Sequence, residues 1–513
     1  MPEFESLLGK KDDSTFQTVR SNLNLDDTML NFDQLFSSQD EPQKAFLYPL
    51  ISPPEWNAAL AKLTESSERT RAVFVCGPKS SGKSTFTRLL TNRLLSEKSS
   101  GAGAIALLDL DPGQPEYSTP GHLSLVYLQE PNFGPPYTHP ITPGKRKTFR
   151  SHAIGAVTPS MDPSLYIACA SDLFAHYRKL LSVSPNCHLI INTPGWVLGT
   201  GLEILVDLIA KIRPTDVVYM SQEGPPEVTM SLKEAAKRNP FFTLPSQASE
   251  FTTRTAAHLR IMQTMSYFHL NPSSNGESFN HNPLTSIPPW EIRYSGEDPG
   301  ILGIICYGEQ PPASLLADAI NGSLVSIVVI EDDAAIPGWN EEPDEHNFTS
   351  LATDSDLHLF DESPQPLQKP VLVRTPTEDL PYFNPLNSIT LDPKHSHAIG
   401  LALVRGIDVE RRRLQIICPI EPSVIEEINE QGKKIVLVSG KLDTPGWAYT
   451  EELYRKGALE KEGRKAGEDV DVEMSEGFED APWIEKRDGS QGRGIGARVW
   501  RVRRDLGKMG DGD

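Results

Sequence analysis

Nine residues, Gly77-Pro78-Lys79-Ser80-Ser81-Gly82-Lys83-Ser84-Thr85, constrain this chain more than any other stretch. They follow an apolar run, Ala72-Val73-Phe74-Val75-Cys76, and lead into a helical pattern from Phe86 to Leu95. Strand, glycine-bounded loop and helix in that order make a phosphate cradle. Glycines let successive N–H groups turn inward, and the helix start adds its positive dipole end. Lys83 then reaches the β- and γ-phosphates and Ser84 offers its hydroxyl to Mg²⁺. An ordinary Gly/Ser turn would explain the glycines but not Lys83-Ser84 at the helix start. The spacing therefore assigns Gly77, Lys79, Ser80, Ser81, Gly82, Lys83, Ser84 and Thr85 to nucleotide binding.

The chain has 513 residues and a net charge of −20, which at first argues against a nucleic-acid partner. Location removes the objection. Residues 331–362 hold eleven acidic side chains and residues 466–480 hold seven, with no Lys or Arg in either, so these stretches carry 18 of the 20 charges. Both are poor in aliphatic residues and read as solvated inserts. The five cysteines are scattered, without a CxxC pair, which points to a reducing compartment and away from disulfides or zinc. The start, Met1-Pro2-Glu3-Phe4-Glu5, lacks a secretory pattern, and no apolar run has membrane-spanning length. A soluble intracellular protein is expected.

The alternation of elements predicts an α/β fold: a P-loop NTPase core with a mainly parallel sheet, followed by a smaller β-rich domain. Residues 1–70 form a short N-terminal segment, with a helix over Glu55–Leu63. Residues 71–270 form the core, with strands at 72–76, 104–109, 187–192 and 216–220. Helices are expected at 84–96, 164–182, 201–212, 227–238 and 252–268. Residues 271–289 read as a linker. Strand-like runs between 301 and 439 place a β-rich unit at 271–455, interrupted by the acidic insert at 331–365. Residues 456–513 are a tail with a basic end, Arg498-Val499-Trp500-Arg501-Val502-Arg503-Arg504.

The second core strand ends Asp109-Leu110-Asp111-Pro112-Gly113-Gln114-Pro115-Glu116. A carboxylate opposite a P-loop serves Mg²⁺, and a second one, two residues on, can face the same site and accept a proton. A β-turn at Asp-Pro-Gly would need only one of the two acids. The third strand leads to Asn192-Thr193-Pro194-Gly195-Trp196, where Asn192 stands in place of a GTPase switch acid. No Asn-Lys-x-Asp guanine reader occurs, so a regulatory GTPase is disfavoured. The literal Asp443-Thr444-Pro445-Gly446 lies in the later domain and reads as a turn far from the P-loop. Lys145-Arg146-Lys147 with Arg150 reads as a basic loop suited to phosphate or as a solvated turn. Trp196 is suited equally to stacking a base or to packing. Arg254 and Arg260, on the 252–268 helix, can reach transferring phosphate as a lid.

Taken in order, Gly77–Thr85, Asp109–Gln114 with Pro120-Gly121, His152–Pro159 and Asn192–Trp196 resemble the polynucleotide 5′-hydroxyl kinase family. The blocks Gly400–Asp408 and Thr444–Trp447, with the tail Trp500–Arg504, are similar to its fungal pre-ribosomal RNA-processing branch. The resemblance implies ATP- and Mg²⁺-dependent phosphorylation of RNA 5′-hydroxyl ends in the nucleolus of the nucleus, beside a partner endoribonuclease. It implies Lys83, Asp111 and Arg260 as catalytic residues, with Asp111 the base, and Ser84 and Asp109 at the metal. Gln114, Thr158, Trp196 and Arg254 would meet RNA. It also implies a β-rich domain ahead of the kinase core, where this chain has residues 1–70. Another branch binds ATP as a non-catalytic scaffold of an RNA 3′-end cleavage complex. The intact Lys83, Ser84 and Asp111 favour turnover.

Overall fold

The computed structural model describes residues 52–65, 70–96, 104–140, 146–247, 255–271, 278–280, 282–337, 372–383 and 389–452. Arg254, Lys145, the acidic insert beyond Pro337, residues 466–480 and the basic tail lie outside the described residues.

Helix α1 (Pro54–Thr64) starts with proline in its first turn, where the missing N–H costs no hydrogen bond. Trp56, Ala59, Leu60 and Leu63 recur at helical spacing and are buried against the core. The core then runs β1 (Ala72–Cys76), α2 (Lys83–Ser96), β2 (Ile105–Asp109), β3 (His122–Leu128), β4 (Arg146–Ala153), α3 (Pro163–Leu180), β5 (His188–Asn192), α4 (Thr200–Ile212), β6 (Asp216–Tyr219), α5 (Pro226–Ala236), β7 (Phe241–Thr243) and α6 (Ala256–Phe268). Its sheet has the order β4-β3-β2-β5-β1-β6-β7. The pairs around β1, β2, β5, β6 and β7 are parallel, while β3 and β4 are antiparallel additions at one edge. Every residue of β2, β5 and β6 is buried, as expected for strands covered on both faces.

Strands β3, β4 and β7 are not among those expected, and β4 is a correction. Arg146–Ala153 is a strand, not a basic loop. Its sequence, Arg-Lys-Thr-Phe-Arg-Ser-His-Ala, hides this because its inward residues are polar. Arg150 is buried, and its Nε donates to Asp172 at 2.6 Å. Its Nη1 and Nη2 donate to Glu331 at 2.9 and 3.2 Å, and Nη2 also reaches the carbonyls of Pro393 and Ser396. Arg150 is thus a rivet between the core and the later sheet, with each of its three guanidinium nitrogens bonded to protein acceptors. Glu331, read as the start of a solvated insert, is part of that rivet.

The C-terminal unit comprises β8 (Trp290–Arg293), β9 (Gly303–Cys306), α7 (Leu316–Ile320), β10 (Leu324–Ile330), β11 (Leu372–Arg374), β12 (Pro381–Phe383), β13 (Ser396–Asp408), β14 (Arg413–Ile417), α8 (Pro422–Glu430) and β15 (Lys434–Ser439). They form an eight-stranded sheet ordered β11-β12-β9-β15-β10-β13-β14-β8. Strand β10 is buried throughout, and its alternation explains why. Val325, Ile327 and Val329 enter this unit's own core, while Val328 and Ile330 join the core shared with the P-loop unit. The two units are therefore fused through apolar packing.

Candidate active site

Within the cradle, Lys79 and Ser80 are exposed and Lys83 is buried. The Lys83 ammonium donates to the Pro78 carbonyl at 2.9 Å. Burial lowers its pKa, and the charge of Asp111 opposes that shift. Two close approaches shape the loop. A Cβ on Gly82, whose φ is +95°, would lie 2.6 Å from the Trp56 ring, so the indole of α1 is a wall of the cradle. The same indole donates from Nε1 to the Pro245 carbonyl at 2.9 Å and packs edge-on against Phe86. A Cβ on Gly195 would lie 2.6 Å from the Lys79 Cα, so the Asn192–Trp196 segment presses on the cradle from the other side.

Strand β2 delivers two carboxylates with different environments. Asp109 is wholly buried. Its Oδ1 accepts from Asn192 Nδ2 at 3.0 Å and from the Asp111 N–H at 3.3 Å, and its Oδ2 accepts from the Glu116 N–H at 2.6 Å. Desolvation raises its pKa to about 7 against those hydrogen bonds. Asp111 lies past the strand end, in the turn that the Asp-Pro-Gly sequence suggested. Its Oδ1 accepts from the Gly113 and Gln114 N–H groups at 2.9 and 3.2 Å, while its Oδ2 has no hydrogen bond from the described residues. Burial raises its pKa, and Lys83, the two turn N–H groups and Arg260 pull it back. The turn and the site are thus one feature: Asp111 holds the turn with one oxygen and keeps the other.

The remaining expected residues distribute unevenly. Gln114 is half-buried in the Asp111 turn. Thr158 caps the short helical turn Pro159–Met161, and the preceding Val157 carbonyl lies over Gly113. Trp196 is half-buried against the core. Arg260 stands on α6, close enough for its charge to act on Asp111. The Asp443 motif, expected to be remote, instead pairs with Arg260: Nε donates to Oδ2 at 2.6 Å and Nη2 to Oδ1 at 3.3 Å. Sequence distance hid this, since the two lie 183 positions apart.

A small cavity between α2, β2 and β5 is lined by Ser84, Thr87, Arg88, Glu116, Tyr117 and Asn192. Two of its buried oxygens, Thr87 Oγ1 and Asn192 Oδ1, have no hydrogen-bond partner among the described residues. Hard oxygen donors beside the P-loop serine fit a Mg²⁺ ion that keeps its waters and takes few protein ligands. Asp109, with both oxygens engaged, would act on such an ion through Asn192. Asn192 was read only as a missing acid, and its amide orientation carries a signal that sequence does not show.

In the cavity wall, Glu116 takes a bidentate pair from Arg88 at 3.0 and 2.9 Å, and His139 lies at 3.3 Å. Burial alone would raise the Glu116 pKa, but Arg88 and His139 outweigh it and set it at about 2. Because the folded value lies below the ordinary 4.5, its stabilisation is complete above pH 4.5 and lost as pH falls through about 2. Wild type should accordingly exceed Glu116→Gln in stability by about 3 kcal/mol at neutral pH. The gap should narrow below pH 4.5 in chemical denaturation, and a pH-independent gap would refute the assignment.

Residues 77–270 match the family model described as the mRNA cleavage and polyadenylation factor CLP1 P-loop. The chain is 42% identical over 516 residues to polynucleotide 5′-hydroxyl-kinase GRC3 of Gibberella zeae, covering 94% of this chain and 67% of that protein. It is 41% identical over 461 residues to polynucleotide 5′-hydroxyl-kinase grc3 of Aspergillus niger, covering 85% of this chain and 56% of that one. The chain thus spans between 56% and 67% of the length of these relatives. A solved Clp1p–Pcf11p complex aligns at TM-score 0.47 and 18% identity, over 75% of this chain and 78% of that one. With a phosphate cradle, a turn-held carboxylate facing it and 42% identity along nearly its whole length, the chain belongs to the polynucleotide 5′-hydroxyl-kinase family.

Proposed function

We propose that this chain transfers the γ-phosphate of ATP to the 5′-hydroxyl end of RNA during pre-ribosomal RNA processing. One observation carries the reading: Lys83 from the cradle and Asp111 from the β2 turn meet closely enough to shift each other's pKa. Lys83 neutralises phosphate charge, and the glycine loop supplies N–H donors. Asp111 accepts the hydroxyl proton. Burial raises its pKa, which strengthens it as a base, and Lys83, the two turn N–H groups and Arg260 oppose that shift. A Mg²⁺ ion at Ser84 and the Asn192 oxygen would neutralise phosphate charge when bound. Gln114, Thr158 and Trp196 form the rim that receives the RNA end. A partner endoribonuclease that leaves 5′-hydroxyl ends, and a nucleolar location, complete the proposal.

Transfer of labelled γ-phosphate to a 5′-hydroxyl oligoribonucleotide tests it. Wild type should label the RNA. Trp196→Ala should raise the KM for RNA about tenfold through lost stacking, with the KM for ATP unchanged. ATP retained without any labelled RNA would favour the scaffold reading.

A further inference from the structure

The Asp443-Thr444-Pro445-Gly446 motif is not used by the mechanism above, yet it is tied into the site. The Lys441 N–H donates to the Gly155 carbonyl at 2.7 Å, in the loop that leads to Thr158. Leu442 lies over Gly121, 2.5 Å from where a Cβ would stand. Gly121 itself donates to the Pro112 carbonyl at 2.8 Å, next to Asp111. A continuous set of contacts therefore runs from the Asp111 turn through Gly121 and Leu442 to Asp443.

Helix α6 is held unevenly. In its C-terminal half, Gln263 donates to the Pro115 and Ser118 carbonyls at 2.7 Å each, and the Tyr267 hydroxyl bonds the Leu401 backbone. Its N-terminal half, 255–261, is only partly buried or exposed. Arg260 belongs to that looser half. Asp443 grips it side-on through Nε and Nη2, which fixes the guanidinium plane. The Nη1 group makes no hydrogen bond to the described residues and remains for phosphate.

We infer that Asp443 is a positioning residue for phosphoryl transfer, by which the C-terminal unit holds the Arg260 guanidinium in register with the Asp111 turn. The inference rests on the kinase reading above. An arginine that acts on transferring phosphate must be oriented before the charge develops, and a side-on carboxylate does this without occupying the whole fork. Fusion of the C-terminal unit to the core thereby reaches the chemistry, although Asp443 itself touches no substrate.

Two measurements on the full chain test it. Hydrogen–deuterium exchange reads the ion pair without any need for activity: Asp443→Ala should speed exchange over residues 256–261 at least about fivefold, with 263–268 unchanged. In steady-state transfer, Asp443→Ala should lower kcat about tenfold with the KM for ATP within about twofold, and Asp443→Glu should restore most of it. The double variant Asp443→Ala/Arg260→Gln should be no slower than Arg260→Gln alone. Unaltered exchange in α6, a kcat within about twofold of wild type, or losses that multiply in the double variant would each overturn the inference. A wild type that transfers no phosphate would instead sink the kinase reading, leaving exchange to decide the ion pair.

Discussion

Asp111→Asn should lower phosphate transfer to a 5′-hydroxyl RNA end by at least about a hundredfold, the range that a lost general base commands. The substitution is close to isosteric, and an asparagine oxygen can still accept from the Gly113 and Gln114 N–H groups. The turn should therefore survive, with only the proton acceptor gone. Steady-state kinetics should show the loss in kcat with ATP affinity within about threefold of wild type. Lys83→Ala should lose a comparable amount and also weaken ATP, because its ammonium serves the ground state as well. An Asp111→Asn enzyme that keeps more than about a tenth of the wild-type rate would remove the carboxylate from the chemistry.

Arg150→Ala should be the most destabilising single change among the described residues discussed above. It strips the counter-charge from Asp172 and Glu331 and leaves the Pro393 and Ser396 carbonyls without this donor. Asp172 is the more costly of the two acids. Burial would raise its pKa, but His152, His176 and Arg150 hold it far below the usual carboxylate range. Breaking a buried pair by removing one partner costs about 3–5 kcal/mol. Chemical denaturation should show that loss, whereas a change below about 1 kcal/mol would mean that water or rearranged side chains replace the guanidinium. Arg150→Lys should recover only part of the loss, since one ammonium cannot reproduce a fork that serves two carboxylates and two carbonyls.

Legibility in the sequence followed the range of each interaction. Strands β1, β2, β5 and β6 and helices α2 to α5 were readable because apolar runs and helical stripes repeat within a few residues. Strand β4 was not, because its inward Arg150 and His152 are compatible with burial only when Asp172 and Glu331 are in place. The same limit applied at the site. Lys83, Ser84 and Asp111 were proposed from local spacing, whereas Trp56 gave no sign that it lies against Gly82 of the loop.

What the sequence determined alone was the phosphate cradle, the acid-bearing turn after the second strand and the family to which both belong. Each is a contiguous piece whose backbone geometry follows from its own glycines, proline and apolar flanks. Tertiary structure decided what the arginines do. Arg150 became an inter-unit rivet and Arg260 became the partner of Asp443, because a guanidinium's role depends on which carboxylate the fold brings to it. Those carboxylates lie 181 and 183 positions away, and no local period carries that information.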